Sequence, residues 1–228
     1  MASFLELTQR LRVETGTAGT GPVKVTEQKG QLAQLVVWIG QAYLDILNKW
    51  VDWKFAWAES SKNILAGQSD YALASDLRQI NEDAVYLSGG DLGTDSVKLQ
   101  FIDYDDYRRH KAGGDGHGTP SAFTIRPDGK IRLLPEPNDS FMLDYEYWKQ
   151  PVPLAENEDL PVFPDQYHDA IIWKAAMYWA GFNEAEAEFQ KFNYHYETAV
   201  RMLEAAYLPS PDAYHNRAQG VDMVVETI

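Results

Sequence analysis

The chain has 228 residues, enough for one large domain or two small ones, and its 45% hydrophobic content is enough to build a core. Seven Trp, thirteen Tyr and nine Phe supply that core, since each buried ring removes about 150–250 Å² from water, worth about 4–6 kcal/mol at ~25 cal/mol/Å². There is no Cys, which excludes disulfides, thiolate metal sites and thiol nucleophiles and fits assembly in a reducing cytosol.

The formal net charge is −14 and it is unevenly placed. Residues 1–62 hold seven Lys/Arg and six Asp/Glu, whereas the remainder holds thirteen and twenty-eight. Gripping nucleic acid requires clustered Lys/Arg, so a surface this acidic argues against it. It suits solubility, or a wall past which DNA slides without sticking. No stretch approaches the roughly 20 apolar residues that a membrane helix needs. The start lacks the basic and apolar blocks of a leader. A soluble protein with no membrane partner is expected.

The first element is a short helix over 3–14. Ser3 is its N-cap, Glu6 completes a capping box, and Phe4, Leu7 and Leu11 share one face. Gly16, Gly19, Gly21 and Pro22 then break regular structure. Leu32, Leu35, Val36, Ile39, Tyr43, Ile46, Leu47 and Trp50 follow the i, i+3, i+4, i+7 rule. They predict a helix over 27–50, capped by Thr26. Its other face carries Gln31, Gln34, Gly40, Gln41 and Asn48, polar but nearly uncharged. Such a face packs either against a second subunit or within its own domain. Gln31, Gln34, Trp38, Gln41 and Trp53 are the candidate subunit-interface residues.

From Trp53 to Trp148 the period changes to two. Lys54–Ser60 and Val97–Tyr104 read as strands. Ala122–Arg126, Pro127-Asp128-Gly129 and Lys130–Leu134 read as a hairpin, with Pro setting the first turn dihedral and Gly taking the positive one. Phe141, Leu143, Tyr145 and Tyr147 line one face of a further strand. Asp165–Phe182 and Glu184–Leu208 predict a helical hairpin, with Asp165 placed to cap it. Ile172, Ala175, Ala176 and Trp179 face Phe189, Phe192, Tyr196, Ala199, Val200 and Leu203. Pro209 and Pro211 end the second helix. The segment 210–228 finishes in Met223-Val224-Val225-Glu226-Thr227-Ile228, too apolar to be merely solvated, and reads as an arm.

The expected fold class is therefore α+β. N-terminal helices and a C-terminal helical hairpin (1–52 and 160–208) form a bundle, a β-rich insertion occupies 53–159, and an extended arm covers 209–228.

Reactive chemistry is hard to find. Asp103, Asp105 and Asp106 lack the spacing and terminal Glu of a calcium loop, and Arg108 and Arg109 follow at once, so a charged turn explains them better than a cation site. His110, His117, His168, His195 and His215 occur singly, without the His-x-x-x-His pair of zinc hydrolysis. No nucleophile elbow, phosphate loop or dinucleotide fingerprint is present. The Gly-rich segment 113–118 around His117 is the one loop that suggests a site. Glu156, Glu158 and Asp159 lie between prolines and read as a solvated linker. No catalytic residue, metal or cofactor is expected.

Three segments resemble the adaptor (head-to-tail connector) proteins of tailed bacteriophages. One is Phe4–Leu11 with Glu14-Thr15-Gly16 and Gly19–Pro22; the second is Trp38-Ile39 leading into Trp50–Phe55. The third is Leu133-Leu134-Pro135, Tyr145–Trp148 with Pro151, and Asp159-Leu160-Pro161 running into Pro164–Trp179. The resemblance spans the chain to about residue 208. It implies a non-enzymatic ring of twelve copies in the virion neck, beneath the portal protein, assembled in the host cytoplasm. Tail or nozzle proteins would attach below, and double-stranded DNA would leave through the channel without specific binding. Met223, Val224, Val225 and Ile228 are the candidate portal-binding residues. Two readings compete with this one: a tail-completion or stopper ring, and a tail-associated hydrolase built around His117.

Overall fold

Ser3 and Glu6 start the fold as their spacing predicts. In the computed structural model, which describes residues 2–110 and 116–209, helix α1 (Phe4–Glu14) opens with both bonds of a capping box. The Glu6 carboxylate accepts from the Ser3 N–H at 2.9 Å, and the Ser3 hydroxyl accepts from the Glu6 N–H at 3.4 Å. A cap of this kind stabilises its helix by about 1 kcal/mol. Helix α2 (Gly30–Lys49) begins three residues later than its period suggests. Glu27 takes a left-handed φ of 59°, and the Gln28 amide donates to the Lys24 carbonyl at 2.7 Å. That turn occupies the residues that Thr26 was expected to cap.

The chain divides into two compact units, residues up to Ala56 together with those from Pro151 onward, and Trp57–Gln150. In the helical unit, α4 (Asp169–Phe182) is the central element, packed against α1, α2 and α5 (Glu186–Tyr207). No residue from Asp169 to Ala180 is exposed. A helix apolar on every side has to be enclosed, and Ala170, Ala175, Ala176 and Ala180 let its neighbours approach closely. Phe192, Tyr196, Val200 and Leu203 of α5 bury against it, as their spacing predicts. A 3₁₀ turn over Asp165–Tyr167 precedes α4, so Asp165 does not cap it. Between the helices, the Asn183 side-chain amide donates to the Trp179 carbonyl at 2.8 Å, and Glu184 turns the chain with φ 53°.

The segment after Pro151 closes the unit onto its own N-terminus. The Phe4 N–H donates to the Asp159 carbonyl at 2.8 Å, and the Val25 N–H to the Asn157 side-chain oxygen at 2.7 Å. Asp159 takes N–H bonds from Ala155 and Glu156. Those bonds hold its carboxyl below the usual range.

The β-rich unit has two four-stranded sheets, which share one apolar cluster. The first runs in the order β1 (Trp57–Ile64), β10 (Phe141–Lys149), β3 (Leu77–Ser88), β4 (Ser96–Lys98). The second runs β2 (Asp70–Ala72), β8 (Lys130–Leu134), β7 (Ala122–Ile125), β5 (Gln100–Phe101). A two-stranded ladder, β6 (His117–Gly118) with β9 (Glu136–Pro137), completes it. Phe141, Leu143, Tyr145 and Tyr147 face the shared core with Phe123, Ile131 and Leu133. The β7–β8 turn forms as predicted: the Gly129 N–H bonds the Arg126 carbonyl at 2.9 Å, and Gly129 takes φ 78°. At Gly90 an added Cβ would lie 2.7 Å from the Phe141 ring, which only glycine avoids. Asp70 bridges Arg132 and Arg126, at 2.6–2.7 Å and 2.5 Å respectively. The bond from Arg132 lowers its carboxyl pKa more than burial raises it.

Two strand expectations change. Lys54–Ala56 is a 3₁₀ turn, and the strand starts only at Trp57. The 97–104 stretch splits into β4 and β5, followed by helix α3 (Tyr104–His110). Asp103 starts that helix by accepting the Asp105 N–H at 2.9 Å.

His168 gives the helical unit a titration signature. The side chain is wholly buried, its Nε2 donates to the Phe163 carbonyl at 2.9 Å, and Nδ1 has no partner among the described residues. Burial pushes its pKa below the usual 6.5. The unfolded chain therefore takes up this proton first, so stability is full above the unfolded value and falls as pH drops through the folded one. We predict that the urea midpoint declines between about pH 7.5 and about pH 5.5. His168→Asn should be less stable at neutral pH yet lose less over that interval. Equal declines in both proteins would remove His168 as the cause.

Candidate assembly interface

Helix α2 presents two faces of opposite kind. Leu35, Ile39, Ala42, Tyr43, Ile46 and Leu47 point into the helical core, with Ile39, Ala42 and Ile46 fully shielded. The opposite side keeps Gln31, Val37 and Gln41 exposed, with Gln34 and Trp38 half-buried at its margin. No charged side chain lies between Gln31 and Gln41. Asp45, the one carboxylate of α2, is already engaged: the Gln41 amide donates to it at 2.6 Å, and the Tyr178 hydroxyl donates to its other oxygen. Burial, then the bond to Asp45, raises the Tyr178 phenol pKa far above its usual value.

Aromatic side chains extend this face onto the end of α4. Trp38 and Phe182 meet with ring centroids 5.8 Å apart, and Phe182 is 62% exposed. Thr17, Trp179 and Asn183 border the same place, around a cleft of only about 10 Å³. Pockets for small molecules run to about 300–1,000 Å³, so this cleft does not enclose a metabolite. At the far end of α2, Glu204 takes hydrogen bonds from Lys49 at 2.7 Å and the Trp50 indole at 2.8 Å. Burial alone would raise its pKa, but these two donors bring it below the usual carboxylate range.

Four of the five interface residues read from the sequence thus fall on one side of one helix. Trp53 does not join them. It is 1% exposed and stacks on Phe55 at 5.1 Å within the helical core, so it offers no surface to a neighbour. Sequence reading missed Val37, which is 65% exposed, and Phe182. The signal at Val37 was its phase, an apolar residue three places after Gln34 and four before Gln41. Phe182 belongs to the face only because α4 packs on α2. Met223, Val224, Val225 and Ile228 lie outside the described residues.

The other candidate groups find local partners. Asp103 starts α3, and Asp106 pairs with Arg109 at 3.1 Å. His117 meets Glu136 at 3.0 Å on the surface, while 111–115 of its loop lie outside the described residues. A hollow of about 550 Å³ in the β-rich unit is lined by Leu77, Ile80 and Ile125 with Glu82 and Lys130. Its described lining contains neither His nor Ser. Among the described residues no helix is long and apolar enough to cross a membrane.

The chain matches the family model described as SU10 adaptor protein over residues 2–214, and it belongs to that family of phage adaptor proteins. No curated protein matches it.

Exposure at Val37 and partial burial at Trp38 separate two substitutions. Val37→Lys should leave the unfolding free energy within about 0.5 kcal/mol, as at an ordinary surface site. Trp38→Ala should lower it by about 1–3 kcal/mol through lost packing on Phe182. Urea melts of both variants check this, and equal losses would mean that Val37 is packed within its own chain.

Proposed function

We propose that this phage adaptor closes into a ring of twelve copies in the virion neck, beneath the portal protein, with tail or nozzle proteins attached below. The ring lines the channel through which double-stranded DNA leaves. One observation carries this reading: on a chain of net charge −14, α2 turns an uncharged face with a half-buried Trp and an exposed Val outward. An acidic protein that binds copies of itself needs such a face, because like charges brought together across an interface cost several kcal/mol. The excess of carboxylates after residue 62 has a complementary use. It keeps DNA from adhering to the channel wall and so favours rapid ejection. The role is structural adhesion, with no residue assigned to catalysis.

The arm serves as the portal anchor. Met223, Val224, Val225 and Ile228 add a strand to an exposed sheet edge of the portal or enter a groove between its subunits. A single arm contributes modestly, but arms linked on one ring act together and raise avidity steeply. The family match stops at residue 214, so this anchor is read from the chain's own sequence.

Three experiments test the reading. Mass photometry of the purified chain, alone and mixed with portal protein, should show a twelve-chain species that joins the portal. A chain that stays single beside the portal overturns the ring. Imaging of the virion neck separates an adaptor directly under the portal from a stopper lower in the stack. Deleting 210–228 should leave the thermal transition unchanged and abolish portal binding, and unchanged portal affinity would place the anchor elsewhere.

A further inference from the structure

A closed ring needs two different faces on each copy, because head-to-tail contacts are heterologous. The α2 face is one of them. We infer that the outward face of α5 is the other, receiving the α2 face of the neighbouring copy. This pairing rests on the ring reading above and names the surface which that reading leaves open.

The face is a straight stripe of α5. Asn193, Tyr194, Glu197, Arg201 and Met202 lie on it at helical spacing, turned away from the buried Phe192, Tyr196, Val200 and Leu203. Tyr194 is 70% exposed and Met202 60%. No other described element lines the shallow trough of about 680 Å³ along it.

Charge selects the occupant. Glu197 and Arg201 form an i,i+4 pair at 3.7 Å, and the other lining residues are uncharged, so the stripe has no net charge. It shares that property with the α2 stretch Gln31–Gln41, on a chain whose surplus carboxylates would repel a copy of itself. The α5 stripe from Gln190 to Ala205 spans about 22 Å, long enough to receive the whole of α2 from Gln31 to Gln41, about 15 Å at ~1.5 Å per residue. Val37 provides the protruding side chain, with the half-buried Trp38 beside it, and Met202 is an adaptable wall for it. Both helices pack on α4, which fixes the angle between the two faces and hence the rotation per copy.

The absence of Cys makes a cross-linking test clean. Full-length V37C and M202C are oxidised singly, mixed one to one, and combined in one chain. The mixture should give heterodimers, and the double variant a ladder running up to the closed ring. Y194K should reduce assembly at least tenfold without shifting the thermal transition. Self-pairing of V37C would indicate a two-fold dimer and overturn the inference. Rings that form without V37C–M202C pairing would overturn it while leaving the ring reading intact. A chain that never assembles removes both. Intrachain pairing of M202C with M223C would assign the α5 face to the chain's own arm and overturn the inference.

Discussion

The helical unit depends on one constraint, the enclosure of α4. From Asp169 to Ala180 this helix exposes no residue, so α1, α2 and α5 must surround it together. Each of those helices then has one face committed to α4 and one left over. The leftover faces are those that these helices can offer to a partner, so their geometry follows from core packing. The chain meets the constraint with segments far apart in sequence. Phe4 bonds to Asp159, Val25 to Asn157, and the Tyr43 hydroxyl takes the Val162 N–H at 3.3 Å. These bonds join the part of the unit before the β-rich insertion to the part after it.

Charge distribution works with that packing. An excess of carboxylates keeps copies apart in solution and weakens contact with phosphate. It leaves few places where two copies can meet. The uncharged turns of α2, and α5 with its internal Glu197–Arg201 pair, are the faces proposed above for such contacts. Even Asp45 beside the α2 face is saturated by Gln41 and Tyr178, which lowers the cost of covering it.

Much of the fold is local, and local order is legible. Ser3 with Glu6, the period of α2, the Pro127-Asp128-Gly129 turn and the alternation of β10 each act within a few residues and form as read. Strand β3 is the counterexample. Opposite Tyr147 and Tyr145 it places Ile80 and Val85, so the pairing absorbs extra residues and the alternation along Leu77–Ser88 is lost. Asn81 in that irregular stretch is held instead by Glu146 at 3.1 Å. Helix α3 reads from the sequence as a charged turn, because the acidic run 103–106 is followed at once by Arg108 and Arg109; in the structure the Asp103 carboxylate accepts from Asp105, the second residue of the helix.

The sequence by itself determined that the protein is an α+β chain with a weakly charged face on its longest N-terminal helix. Helical period, capping and net charge are properties of nearby residues and survive without a fold. Tertiary structure alone decided which aromatic side chains remain available to a partner. Trp53 and Phe182 are both large apolar residues near helix ends, yet Trp53 is sealed beneath Phe55, which packs on Phe163 and Tyr207, while Phe182 stays largely open beside Trp38. Burial of a given ring depends on elements more than a hundred residues away, and no local pattern encodes it.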